Sequence, residues 1–239
     1  MSRIVTGCVA ATLGAVLAGG LAEAQDMQQK VAAAKQAAAQ NQQVLRGYTW
    51  VEKTEIALKG EVKNTKLQSC RYGPDGKVQK TPLSEPAPPA QESGGRGGRR
   101  GGRVKRKVVE KKTGELKEDM EAAVALVHQY VPPAPDKIQA AMGAGRITLS
   151  PGAATTTLRI ADYVKPGDAL VLALDASGKG MKQLNVDTWK DAPADKVALK
   201  VDMQSLPDGT SYPGAIVLSV PASNIEVRIT NSNYQKLAP

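Results

Sequence analysis

From Leu158 to Ile229 apolar residues occupy every second position in short runs, and each run is closed by a turn signal. Leu158 and Ile160 precede Lys165-Pro166-Gly167-Asp168, and Leu170, Leu172 and Leu174 precede Asp175-Ala176-Ser177-Gly178. Leu184 and Val186 follow. Val197, Leu199, Val201 and Met203 then alternate with Ala198, Lys200 and Asp202 up to Leu206-Pro207-Asp208-Gly209. Ile216, Leu218 and Val220 precede Pro221-Ala222-Ser223-Asn224, and Ile225, Val227 and Ile229 close the series. A period of two with Gly, Pro, Asp and Asn between the runs predicts an up-and-down antiparallel meander with one apolar face. The same pattern recurs earlier. Tyr48, Trp50, Ile56 and Leu58 share a face, Lys59-Gly60 turns, and Glu61 to Tyr72 returns. Gly73-Pro74-Asp75-Gly76 then leads into Lys77 to Leu83, which completes a three-stranded meander.

Helical spacing is confined to three places. Asp26 with Gln29 forms a capping box, Met27, Val31, Ala34, Ala38 and Leu45 recur along one stripe, and Gly47 suits a helix end. This predicts a single helix about 30 Å long. A second helix is expected from near Leu116, with Met120, Val124, Val127 and Val131 on one face, stopped by Pro132-Pro133. A short third helix is expected from Pro135 to Met142, ending at Gly143. The fold class is therefore α+β. About ten strands make a sheet roughly 43 Å wide, and helices about 10 Å across cover at most about 30 Å of it. A sheet that wide curls as it twists. The expected result is an unclosed, curved half-barrel of about ten strands, with the long N-terminal helix and the helical insertion covering its concave face. Leu170, Leu172, Leu174, Val197, Leu199, Val201, Ile216, Leu218, Ile225 and Val227 are the candidate lining of that face. Alternation shows which face is buried and leaves open whether an open cavity or a filled core buries it.

The N-terminus bears on the compartment. Arg3, the apolar run Ile4 to Leu21, and Ala22-Glu23-Ala24 before Gln25 are the layout of a cleavable export signal over residues 1–24. The alternative is an uncleaved anchor, which four glycines and two threonines in the run disfavour. Cleavage leaves residues 25–239 as one domain, in the periplasm or secreted, with no transmembrane segment. Cys8 departs with the signal, so Cys70 has no partner for an internal disulfide and is expected as a small buried residue on a strand. Phe is absent, so any apolar cavity must be lined by Val, Ile, Leu, Met and the few Tyr and Trp.

The net charge of +9 is concentrated. Arg96, Arg99, Arg100, Arg103, Lys105, Arg106, Lys107, Lys111 and Lys112 against Glu110 carry +8 of it between Ser93 and Lys112. The Pro-rich, then Gly/Arg-rich composition from Ser84 onward predicts a disordered basic loop across 84–112. Arg96, Arg99, Arg100, Arg103, Lys105, Arg106 and Lys107 are the candidate contacts for an anionic surface; the alternative is a solvated loop with no target. A basic face built into the globular body is not indicated, and nucleic acid is a disfavoured partner.

Catalytic chemistry is not legible. His128, the single histidine, falls at the edge of a helix stripe, and one His with one mature Cys does not make a zinc site. The aspartates from Asp162 to Asp208 fall at turns or on strands without calcium-loop spacing. Gly94 to Gly102 lacks the context of a phosphate loop, and no nucleophile elbow is present. No catalytic residue, metal or cofactor is expected, and the chain is read as a non-enzyme.

The order of signal, long helix, short meander, helical insertion and long meander resembles the lipoprotein-carrier half-barrel superfamily with the LolA-like fold. That resemblance implies binding or carriage of an apolar or amphipathic ligand, such as lipid or lipoprotein acyl chains. Tyr48-Thr49-Trp50, Arg71-Tyr72-Gly73-Pro74-Asp75-Gly76-Lys77 and Leu126-Val127-His128-Gln129-Tyr130-Val131-Pro132 also resemble a group of uncharacterised exported bacterial proteins. The other function consistent with the residues is a non-enzymatic envelope interaction module, in which the Arg/Gly-rich loop binds an anionic surface.

Overall fold

The computed structural model describes residues 36–83, 102–175 and 180–237, and the backbone alone for 102–113. The expected export signal, its cleavage at Gln25, the first turns of the N-terminal helix and Arg96, Arg99 and Arg100 lie outside the described residues.

Ten strands form one antiparallel sheet. They are β1 (Tyr48–Leu58), β2 (Glu61–Tyr72), β3 (Val78–Pro82), β4 (Ile147–Pro151), β5 (Thr155–Ala161), β6 (Ala169–Asp175), β7 (Met181–Trp189), β8 (Lys196–Ser205), β9 (Ser211–Val220) and β10 (Ile225–Lys236). Their spatial order is β3-β2-β1-β10-β9-β8-β7-β6-β5-β4, so both expected meanders are present and the pairing of β1 with β10 welds them together. Among the described residues β3 and β4 are the edge strands, and the sheet is an unclosed half-barrel. Three described α-helices accompany it: α1 (36–45), α2 (Gly102–Val127) and α3 (Pro135–Gly143).

Three details differ from expectation. β4 was not anticipated, because Ile147 to Pro151 is short, follows two glycines and leaves Leu149 48% exposed. The second helix begins at Gly102 and not near Leu116, so the backbone of 102–112, expected as part of a disordered loop, is helical. Arg, Lys and Glu are good helix formers, and the charge run obscured that propensity. The buried face of α2 also differs. It presents Leu116, Ala123, Leu126 and Val127 to the core, whereas Val124 is exposed. Ala123 is fully buried, and its small side chain lets the helix lie close on the sheet.

The core is aliphatic and continuous. Leu158, Leu172, Leu184 and Val201 pair across successive strands, and Ile160, Leu170, Val186 and Leu199 form the adjacent row. All eight are at most 8% exposed under α2 and α3. Burying such a side chain contributes about 1.5–3 kcal/mol relative to exposure.

Candidate apolar face and its polar flanks

The two aliphatic rows do not stop where the helices stop. Val201 pairs with Ile216, Ile216 with Ile229, and Ile229 with Thr54. In the second row Leu199 pairs with Leu218, Leu218 with Val227, and Val227 with Ile56. Burial falls along this path: Ile216, Val227, Ile229 and Ile56 are only half-buried. Beyond them the same rows turn polar at Lys66 and Asn64 on β2. An apolar band therefore crosses β8, β9, β10 and β1, about 14 Å wide at ordinary strand spacing. Leu58, beyond Ile56, and Met203, beyond Val201, extend it at opposite sides, and both pack against the core.

Of the expected lining residues, Leu170, Leu172, Val197, Leu199, Val201, Leu218 and Ile225 are buried in the core, and Ile216 and Val227 pack against its margin. Leu174 is half-buried beside a register shift with Met181 and belongs to neither group. Ile56 and Ile229, which complete the half-buried band, were readable as apolar strand residues but not as neighbours, since only the β1–β10 pairing joins them. Arg103, Lys105, Arg106 and Lys107 fall in the first turns of α2. Two shallow grooves of about 410 and 440 Å³ lie on the opposite face, lined partly by charged residues such as Glu55, Lys59, Asp187 and Lys200.

One flank of the band is aromatic. Trp50 stacks on Tyr234 with ring centroids 5.5 Å apart, Tyr212 approaches Tyr234 to 4.1 Å, and Tyr72 approaches Trp50 to 5.4 Å. Tyr48 meets Tyr234 edge-on, and its hydroxyl donates to Asp208 at 2.5 Å. Burial pushes the Tyr72 and Tyr234 hydroxyls upward in pKa. Between these rings and the band lie Glu52 and Asn231, which pair across β1 and β10 and are each 7% exposed. Lys80 reaches Glu52 at 2.6 Å. Asn231 donates through its side-chain nitrogen to the Pro213 carbonyl, while its oxygen is buried without a partner. Cys70, on β2 as expected, is completely buried, and that burial raises its thiol pKa.

The other flank anchors the helices. Asp168 accepts hydrogen bonds from the backbone N–H groups of Tyr163, Lys165 and Val164 at 2.6, 2.8 and 3.1 Å, and from the Tyr130 hydroxyl at 2.5 Å. Tyr130 also contacts Thr188 at 2.8 Å and has no exposed surface. The turn depends on Gly167, whose φ of +81° suits glycine and whose N–H donates to Asp162. The Ala134 N–H at the start of α3 donates to the Tyr163 hydroxyl at 2.6 Å. Desolvation, reinforced by Asp168, raises the Tyr130 pKa far above its usual value. His128 is exposed just past the end of α2. Among the described residues no three His, Cys, Asp or Glu side chains are placed to share a metal ion.

No protein-family model matches the chain, and no curated protein matches it. A solved structure is similar: the crystal structure of a DUF1329 family protein from Desulfovibrio piger. The alignment covers 86% of this chain and 92% of that one, at 11% identity and a TM-score of 0.35.

Proposed function

We propose that the protein is an exported binding or carrier protein for an apolar or amphipathic ligand, with lipid or lipoprotein acyl chains as the ligand class. The observation that carries this reading is the change in burial along the aliphatic rows. Under α2 and α3 the lining is packed, whereas Ile216, Val227, Ile229 and Ile56 continue the same apolar surface half-buried. Ten methylenes laid on such a surface gain roughly 8 kcal/mol gross. That is the scale of a micromolar Kd before the cost of ordering the chain. The resemblance to lipoprotein-carrier half-barrels and the layout of the N-terminus are consistent with a periplasmic or secreted carrier.

The test uses a fluorescent fatty-acid probe and two tryptophan substitutions with folding monitored alongside. The wild-type protein is expected to bind the probe in the micromolar range. Val227→Trp is expected to fold and to weaken binding by about tenfold or more, equivalent to at least about 1.4 kcal/mol. Leu172→Trp, placed under the helices, is expected to lose about 1–3 kcal/mol of stability through overpacking. Absence of probe binding by the wild type, with equal destabilisation by both substitutions, would establish a filled core and overturn the carrier reading.

A further inference from the structure

The basic run that follows the Gly/Arg-rich stretch is helical from Gly102. Within 102–112, Arg103, Lys105, Arg106, Lys107, Lys111 and Lys112 stand against Glu110, a net of +5. Within 113–127, Lys117 stands against Glu115, Glu118, Asp119 and Glu121, a net of −3. This polarity opposes the helix's own dipole, whose positive end is the N-terminus. The first turn has no acid and the last turn has no base. Charges chosen to stabilise the helix would run the other way.

The period of 3.6 residues places Arg103, Lys107 and Lys111 in one row, on the helical face opposite the one shared by Leu116, Ala123 and Val127. The latter face packs on the sheet. Val104 and Val108 border the basic row, and no aromatic residue lies in 102–112. Basic residues bordered by aliphatic ones suit the interface of an anionic bilayer. Single-stranded nucleic acid is bound through aromatic stacking platforms, which this segment lacks.

We propose that the N-terminal half of α2 docks the protein on an anionic phospholipid surface while the C-terminal half holds the sheet. This docking is independent of the acyl-chain site. It is tested by flotation of the full chain with vesicles of phosphatidylcholine alone and of phosphatidylcholine mixed with phosphatidylglycerol. Binding is expected to the mixed vesicles only and to fall as salt is raised from about 0.1 to 0.5 M. The triple variant Arg103→Gln, Lys107→Gln, Lys111→Gln keeps helix propensity and is expected to bind about tenfold more weakly or worse. Lys66→Gln, Lys77→Gln, Lys182→Gln removes the same charge from exposed positions elsewhere and is expected to bind within about threefold of wild type. Val227→Trp is expected to float unchanged, which separates this docking from ligand binding. Equal losses in the two triple variants, equal binding to neutral vesicles, or tighter salt-sensitive binding to an oligonucleotide than to the mixed vesicles would each overturn the proposal.

Discussion

The two ends of the sheet solve the same burial problem with different side chains. From β5 to β8 the inner face is aliphatic and lies under helices, with Ile160, Leu170 and Val186 entirely removed from solvent. At the β2–β1–β10 end part of the same face is aromatic, and Trp50, Tyr72, Tyr212 and Tyr234 pack against one another. Branched aliphatic chains leave a corrugated surface that needs a partner element. Large flat rings cover each other and gain about 0.5–1.5 kcal/mol per pair beyond their area. In a chain without Phe, this division sets where a face is closed and where it stays partly open. The half-buried band lies between the two devices, where the described helices do not bury it fully and the rings do not extend.

The strongest test of this contrast is removal of the polar anchor at the helical end. Asp168→Ala deprives three backbone N–H groups and the Tyr130 hydroxyl of their acceptor. Orphaned buried donors cost about 1–3 kcal/mol each, so a loss of about 3–5 kcal/mol is expected in urea denaturation. Trp189 reports on this end and Trp50 on the other. Because β1 to β10 form one hydrogen-bonded sheet, both signals are expected to shift to the same lower midpoint. A shift in the Trp189 signal alone would show that the two ends are separate folding units.

The corresponding ionic contact at the aromatic end has a smaller effect. Lys80→Ala removes the partner of the nearly buried Glu52, but the Lys80 side chain is 41% exposed and water already screens that side of the pair. A loss of about 1 kcal/mol is expected. Glu52→Gln combined with Lys80→Ala should recover most of it, because no unpaired charge then remains. A loss at Lys80 as large as that at Asp168 would mean that the aromatic end depends on its ion pair and not on its rings.

Which features could be read in advance follows from how local their causes are. The strands, their turns and the shared face of Leu170, Val197, Leu199 and Leu218 follow from alternation within a few residues. The Asp168 turn was recognisable from Lys165-Pro166-Gly167-Asp168, but the role of Tyr130 was not, because it comes from beyond the end of α2. Glu52 gave no signal on a strand of mixed character. Its burial depends on Asn231 across β10 and Lys80 on β3, and such long-range register is set by closure of the sheet and not by adjacent residues. The early start of α2 was hidden for a different reason. High charge density suggests disorder and high helix propensity suggests order, and the two compete in the same residues.

The smallest expected effect concerns the clamp that holds α2 to the helical end. Asp119 on α2 pairs with Lys190 at 2.6 Å and accepts a hydrogen bond from the Ser223 hydroxyl at 2.5 Å. The bond from Lys190, with that from Ser223, holds the Asp119 carboxyl below its usual pKa, and the bond to Asp119 raises that of Lys190. A lowered carboxyl contributes stability that is present above its unfolded value of about 3.9 and is lost as pH falls through the folded pKa. A raised lysine contributes stability present below its unfolded value of about 10.4 and lost as pH rises through its higher folded pKa. The clamp therefore acts from about pH 4 to about pH 10. Both side chains remain partly exposed, so Asp119→Asn is expected to cost about 1 kcal/mol or less at pH 7. The difference between wild type and variant should narrow as pH falls below about 4, because protonation removes from the wild type the charge that the variant already lacks. Denaturation followed at Trp189, the neighbour of Lys190, measures it. A difference independent of pH would show that the cost of the substitution does not come from the Asp119 charge.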